Sequence, residues 1–221
     1  CHVSGTGFLV SARLVEENGG WPFHLLTEDI EFSVNCAIQG KRIGYCEDAV
    51  IYDEQPVTFS QSWRQRMRWA KGFYQVNAHC GIPLLRGCLH GPIRFSCYDM
   101  LMTVAPCNLF TIAVLALSII VCVASLTQPA FITYRAMRVI GRIFWLTLRG
   151  ITASLFLFGA ATMAAEWKRI EGSTAKKILY TFTFPFFMLT YVPISVAALV
   201  GKVEWRPIRH GIASSNSSIE S

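Results

Sequence analysis

Hydrophobic and polar positions divide the chain into two regimes. Up to about residue 94, apolar residues come in short groups broken by charges and glycines; from about residue 100 to 200 they form long runs. In the first regime, Ser4-Gly5-Thr6-Gly7 followed by apolar Phe8 to Val10 predicts a loop leading into a strand. Arg13 to Asn18 predicts a short helix stopped by Gly19-Gly20, and Trp21-Pro22-Phe23 a turn with apolar anchors. Thr27 is a good N-cap for a helix through Gln39, ended by Gly40. Glu28, Asp29 and Glu31 stand in its first turn, where the helix dipole favours negative charge. Arg42 to Cys46 and Ala49 to Tyr52 read as a strand interrupted by Glu47-Asp48 and closed by Asp53-Glu54-Gln55-Pro56. Strand and helix alternation makes this part α/β.

Residues 60–79 predict one amphipathic helix. Gln65, Arg68 and Trp69 stand at i, i+3 and i+4 and so share a face, which Gly72 continues without a side chain. Trp63, Met67, Ala70 and Tyr74 lie roughly opposite, spaced to pack on a core or a membrane surface. An amide, a guanidinium and an indole gathered together suit a sugar attached to a phosphate: arginine forks its donors to phosphate oxygens, and tryptophan offers a flat apolar face to a pyranose. A basic amphipathic helix lying on anionic lipid fits the same residues.

In the second regime, residues 100–126, 143–165 and 178–200 are each about the ~20 residues needed to cross hydrocarbon. Trp145, Trp167, Tyr180 and Trp205 fall near their ends, as interfacial aromatics do. Three spans are expected, with no acidic residue inside any of them. Orientation signals conflict. Lys168, Arg169, Lys176 and Lys177 place the second connection on the cytoplasmic side, while Lys202, Arg206 and Arg209 claim the same side for the tail. A re-entrant segment around Pro106 or 127–142 would reconcile them.

Composition agrees with this division. Hydrophobic residues make up 52% of the chain and charged ones 15%, and the net charge of +6 comes from basic residues that mostly flank apolar runs. That pattern faces anionic lipid and cytoplasm, not nucleic acid. Eight cysteines form no CxxC pair, which favours free thiols. His79-Cys80 and Cys88-Leu89-His90 fit no standard zinc spacing. The opening residues read as the middle of a folded domain, so the chain is expected to be the C-terminal part of something longer. The expected division is a catalytic part over 1–94, a membrane region over 95–205 and a polar tail over 206–221, disordered from Ala213.

These pieces together resemble the membrane-integrated family 2 glycosyltransferases, which include cellulose, chitin, hyaluronan and poly-N-acetylglucosamine synthases. Ser4-Gly5-Thr6-Gly7, Gly19-Gly20-Trp21, Thr27-Glu28-Asp29, Glu54-x-Pro56 and Gln65-Arg66-Met67-Arg68-Trp69 follow in the family's order, and the apolar runs come directly after. The resemblance implies the C-terminal part of a GT-A-type α/β domain followed by an all-α transmembrane region of about three helices. It implies that Asp29, within Thr27-Glu28-Asp29, is the general base of an inverting transfer. Gln65, Arg66 and Arg68 would hold the departing diphosphate, Trp69 would stack under the acceptor sugar, and Gly5, Thr6 and Gly7 would line the acceptor pocket. A Mg²⁺ or Mn²⁺ ion is expected on upstream aspartates that have no counterpart here, with no metal ligand in this stretch. The cellulose-synthase gating segment is also missing; Trp205 to His210 is the candidate substitute, or else a membrane anchor.

The implied activity is transfer of a sugar from a UDP-sugar such as UDP-N-acetylglucosamine to a growing polysaccharide. It would take place at the plasma membrane, from a multi-pass protein with a cytoplasmic catalytic part. Two alternatives stand beside it: single transfer to a lipid acceptor, and an inactive membrane partner subunit.

Overall fold

Thr58 sets the start of the longest helix in the first hundred residues. Its side chain accepts from Gln61 N while Gln61 returns a bond to the Thr58 backbone, a capping box that starts a helix at Phe59. The computed structural model describes residues 2, 3, 5, 7–51, 53, 55–105, 107–201 and 203. They form α1 (Ala12–Glu17), α2 (Glu28–Ile38), α3 (Phe59–His90), α4 (Arg94–Val104), α5 (Cys107–Ser125), α6 (Ala130–Ala165), α7 (Thr174–Leu189) and α8 (Tyr191–Val200). The chain divides into two compact units, residues 1–107 with 194–221, and residues 108–193.

The α/β expectation is corrected. Among the described residues no strand forms, and the regular elements are all helices. Phe8 to Val10, Arg42 to Cys46 and Ala49 to Ile51 have no regular structure. A strand holds its shape through a ladder of hydrogen bonds to a neighbouring strand, and these segments meet none. Tyr45, Val50 and Ile51, the apolar positions that would have faced a core, are exposed instead.

In the first unit α2 is buried on two sides. Ile30, Val34 and Ala37 pack with Val76 and Leu84 of α3 and with Cys97, Met100 and Val104 of α4. Phe32 and Cys36 pack with Val3 and Phe23. Gly87 lets α3 and α4 approach closely, since a Cβ there would lie 2.6 Å from Cys97 Sγ. α3 runs eleven residues past the expected end at 79, because the stop signals of Gly81 and Pro83 yield to the burial of Leu84 and Gly87. Truncating Leu84, which is fully buried, would cost about 2–5 kcal/mol. Gly19 and Gly20, with φ of 72° and 112°, end α1 in a conformation that glycine adopts without penalty.

In the second unit α6 and α7 pack on each other. Gly159 is the closest point, where a Cβ would stand 2.8 Å from the Phe184 ring. Phe156 and Phe182 meet with ring centroids 5.1 Å apart. Ala130–Ala165 and the run Thr174–Val200, which covers α7 and α8, are long and apolar enough to cross a membrane. They contain the expected spans 143–165 and 178–200. The expectation of three spans is corrected to two among the described residues: α4 ends at Val104 and α5 begins at Cys107, so 100–126 is not one continuous helix.

Candidate functional site

Thr27-Glu28-Asp29 opens α2, but Thr27 does not cap it in the usual way. It occupies the N-cap position with φ −130° and ψ 70°, and its hydroxyl makes no cap bond. The side chain is 5% exposed and the hydroxyl has no hydrogen-bond partner among the described residues. Its neighbour is α3. A Cβ on Gly72 would lie 2.5 Å from both Thr27 Oγ1 and Thr27 Cγ2. The bare position on the Gln65 face of α3 is therefore filled by Thr27. One turn further along the same helix, Gln75 Oε1 accepts from Leu26 N at 3.2 Å.

This contact fixes where the two expected motifs stand. Asp29 is two residues beyond Thr27, and Trp69, Arg68 and Gln65 are three, four and seven residues before Gly72. At about 1.5 Å of rise per residue they lie roughly 4.5, 6 and 10.5 Å along the α3 axis from the contact. Gln65, Arg68 and Trp69 are all half-buried, and so is Asp29.

Asp29 is held in place by a relay from the N-terminal loop. Val3 N donates to Ser33 Oγ at 2.8 Å, and Ser33 Oγ donates to the Asp29 carbonyl at 2.8 Å. Asp29 Oδ1 accepts from Ile30 N at 2.9 Å, and Oδ2 is 3.6 Å from where a Cβ on Gly5 would be. Position 5 thus lies at van der Waals distance from the carboxylate. Burial pushes the Asp29 carboxyl above its usual range; the Ile30 N–H opposes the shift, while the charge of Glu28 adds to it. A carboxylate with raised pKa is a stronger proton acceptor than an ordinary one.

The other acidic residues divide the work. Glu28 is exposed. Glu31 is buried, and its Oε2 accepts from His24 N and Leu25 N, both at 3.1 Å, so it shapes the loop that delivers Thr27. Sequence reasoning placed Glu31 in the helix start but missed this loop contact, along with the parts played by Ser33 and Gln75. Gln75 was legible in principle, since it stands three residues after Gly72 and so neighbours that bare position one turn further on.

Arg66 packs closely against its own helix. It is 2% exposed, its Nε donates to Ser62 O at 3.3 Å, and its guanidinium lies 5.7 Å from the Phe59 ring centroid. The opposite face of α3 packs as the alternation of residues suggested: Ala70 is buried with Ile194 and Ala198 of α8, flanked by Trp63, Met67 and Tyr74. Tyr74 Oη donates to Ser195 O at 3.3 Å and Lys71 Nζ to Leu199 O at 3.4 Å.

Of the loop glycines, Gly5 adjoins Asp29, whereas Gly7, with φ 72°, is closed over by Ile51. Thr6, Glu54 and the Trp205 to His210 segment lie outside the described residues. The motif residue Trp21 stacks on Phe32, one turn after Asp29, with centroids 5.1 Å apart, and Phe8 stacks on Trp21 at 6.1 Å. The described residues supply no set of three His, Cys, Asp or Glu donors that could hold Mg²⁺ or Mn²⁺.

Comparison with known proteins gives the class to which the chain belongs. Residues 1–200 match the family described as Glycosyl transferase family group 2, and the chain belongs to it. It is similar to a probable glycosyltransferase, YdaM, of Bacillus subtilis (strain 168), at 34% identity over 70 residues, which is 32% of this chain and 17% of that protein. It is also similar to the poly-beta-1,6-N-acetyl-D-glucosamine synthase of Staphylococcus aureus (strain COL), at 35% identity over 74 residues, 34% of this chain and 18% of that protein. The matched stretch thus spans less than a fifth of the length of either relative. No solved structure matches the chain.

Proposed function

We propose that the chain carries the acceptor-activating and leaving-group side of an inverting glycosyltransferase that extends a polysaccharide at a membrane. The observation that supports this most is the Thr27–Gly72 contact, which brings the start of α2, two residues before Asp29, against the face of α3 that carries Gln65, Arg68 and Trp69. Asp29 takes the proton of an acceptor hydroxyl as the oxygen attacks the anomeric carbon. The bond from that carbon to the nucleoside diphosphate breaks, and the configuration inverts. Arg68 and Gln65 donate to the diphosphate as its charge grows, which lowers the barrier because the donors are already in position. Arg66, packed on Phe59 and bonded within its own helix, braces α3 and leaves direct contact to Arg68. Trp69 stacks under the acceptor's terminal sugar.

The donor is a UDP-sugar, and N-acetylglucosamine is favoured by the similarity to the Staphylococcus aureus poly-beta-1,6-N-acetyl-D-glucosamine synthase. Membrane attachment is supported by the two helical runs long and apolar enough to span a bilayer. The catalytic part is placed on the cytoplasmic side, where nucleotide sugars are made. The test uses full-length protein in membrane vesicles with Mg²⁺ and labelled UDP-sugars. A labelled high-molecular-weight polymer that disappears with Asp29→Asn is expected. Label confined to a lipid-sized product would replace polymer extension with single transfer, and polymer made at the wild-type rate by Asp29→Asn would remove Asp29 from the mechanism.

A further inference from the structure

The α6–α7 hairpin carries an arginine stripe that the transfer reaction does not use. Arg135, Arg138, Arg142 and Arg149 stand at i, i+3, i+7 and i+14 on α6, so at about 100° per residue they fall within one narrow arc of the helix. None forms an ion pair with any described residue. Sequence explains this in part: no acidic residue occurs between Asp99 and Glu166. Arg135 and Arg138 are placed over their own helix's rings, Phe131 at 4.4 Å and Tyr134 at 5.6 Å. Arg142 and Arg149 have no such ring. They line a crevice of about 390 Å³ with Trp145 and Leu146.

That crevice continues into a second one. Trp145 and Arg149 also border a space of about 510 Å³ against Leu148, Phe156, Phe182 and Phe186. Arg149 is therefore the charged mouth of an otherwise apolar groove between α6 and α7. Phe156 is seven residues further along, roughly 10 Å down the helix axis. An exposed arginine inside a spanning helix is unfavourable unless an anion neutralises it.

We propose that this groove holds an anionic membrane phospholipid, its phosphate on Arg142 and Arg149 and one acyl chain along Phe156, Phe182 and Phe186. The guanidinium forks match phosphate oxygens, and aromatic and leucine side chains match hydrocarbon. This inference rests on the membrane reading given above. The occupant is a structural lipid, because both the charge and the apolar length of the groove are matched by one molecule that the surrounding leaflet supplies.

The test offers equimolar phosphatidylglycerol and phosphatidylcholine to the full-length protein in a nonionic detergent, and reads retained lipid by native mass spectrometry. Wild type is expected to retain phosphatidylglycerol roughly tenfold over phosphatidylcholine. Arg142→Gln with Arg149→Gln should bring the ratio near one, and Arg149→Lys should keep part of the preference. Phe182→Ala should lower retention of both lipids without changing their ratio. Millimolar inorganic phosphate should not displace the lipid, since it brings no chain. Equal retention by wild type, or an unchanged preference in the double variant, overturns the proposal. Displacement by substoichiometric polyprenyl phosphate also overturns it, and gives the groove to a lipid-linked substrate. Flotation with neutral phosphatidylcholine vesicles separates the two readings. Protein that does not float removes the membrane reading and this one together, while floating protein without lipid preference removes only this one.

Discussion

Gly72 of α3 lies so close to Thr27 that a single added methyl would stand 2.5 Å from the threonine hydroxyl and from its methyl group. Gly72→Ala should therefore push the α2 start away from α3. Overpacking of this kind costs about 1–3 kcal/mol, and glycosyl transfer should fall with it because Asp29 shifts relative to Arg68 and Trp69. Thermal unfolding and turnover measured together check this. A variant with unchanged melting temperature and full activity would show that the contact does not position the site.

Asp29→Asn should lower turnover by about 10²- to 10⁴-fold, the range for losing a general base, while nucleotide-sugar affinity stays near wild type. Product formation against isothermal titration separates the two effects.

The same residue gives a stability prediction with a definite sign. Burial raises the folded-state pKa of Asp29, so the folded protein holds this proton more tightly than the unfolded chain does. The contribution is present at low pH and is lost as pH rises through the raised pKa. Asp29→Asn should thus be more stable than wild type at neutral pH, by a margin that shrinks on acidification. Melting curves across pH check it, and a margin that grows on acidification would contradict it. The acid limb of the wild-type kcat/KM profile should likewise lie above the ordinary carboxylate range near ~4.

Glu31→Ala removes the acceptor of two backbone N–H groups and should cost about 1–3 kcal/mol in stability. Its effect should appear in unfolding, with residual transfer activity well above that of Asp29→Asn. Loss of transfer without loss of stability would move Glu31 into the chemistry.

Trp69→Ala should raise the acceptor KM by roughly two- to twelve-fold, the equivalent of a lost ring-stacking contact, with donor KM nearly unchanged. Initial rates with each substrate varied in turn decide this.

The helical part of the site was legible in sequence because it depends on local signals. The 3.6-residue period placed Gln65, Arg68 and Trp69 together and sent Met67, Ala70 and Tyr74 to the other side, where Ile194 and Ala198 receive them. Gly19-Gly20 and Gly40 marked helix ends for the same reason. The strands were misread because a strand is a property of pairs, and the apolar alternation in Arg42 to Ile51 cannot reveal whether a partner exists. Thr27 was misread in a related way. Its identity favours a cap, and only the approach of Gly72 from 45 positions away turns it into a packing residue. Gly7 carries two demands, a positive φ and the nearness of Ile51, neither of which its neighbours in sequence disclose.

The stretch of α3 from Gln65 to Tyr74 has no idle side. One edge meets the α2 loop through Gly72, and the other is bolted to the last apolar helix by Ala70, Tyr74 and Lys71. The face proposed for sugar transfer and the face that packs on α8 are thus two sides of one rod scarcely 10 Å across. Under the proposed function, whatever tilts α8 tilts that face with it, so lipid around α8 would act on the transfer without touching a substrate.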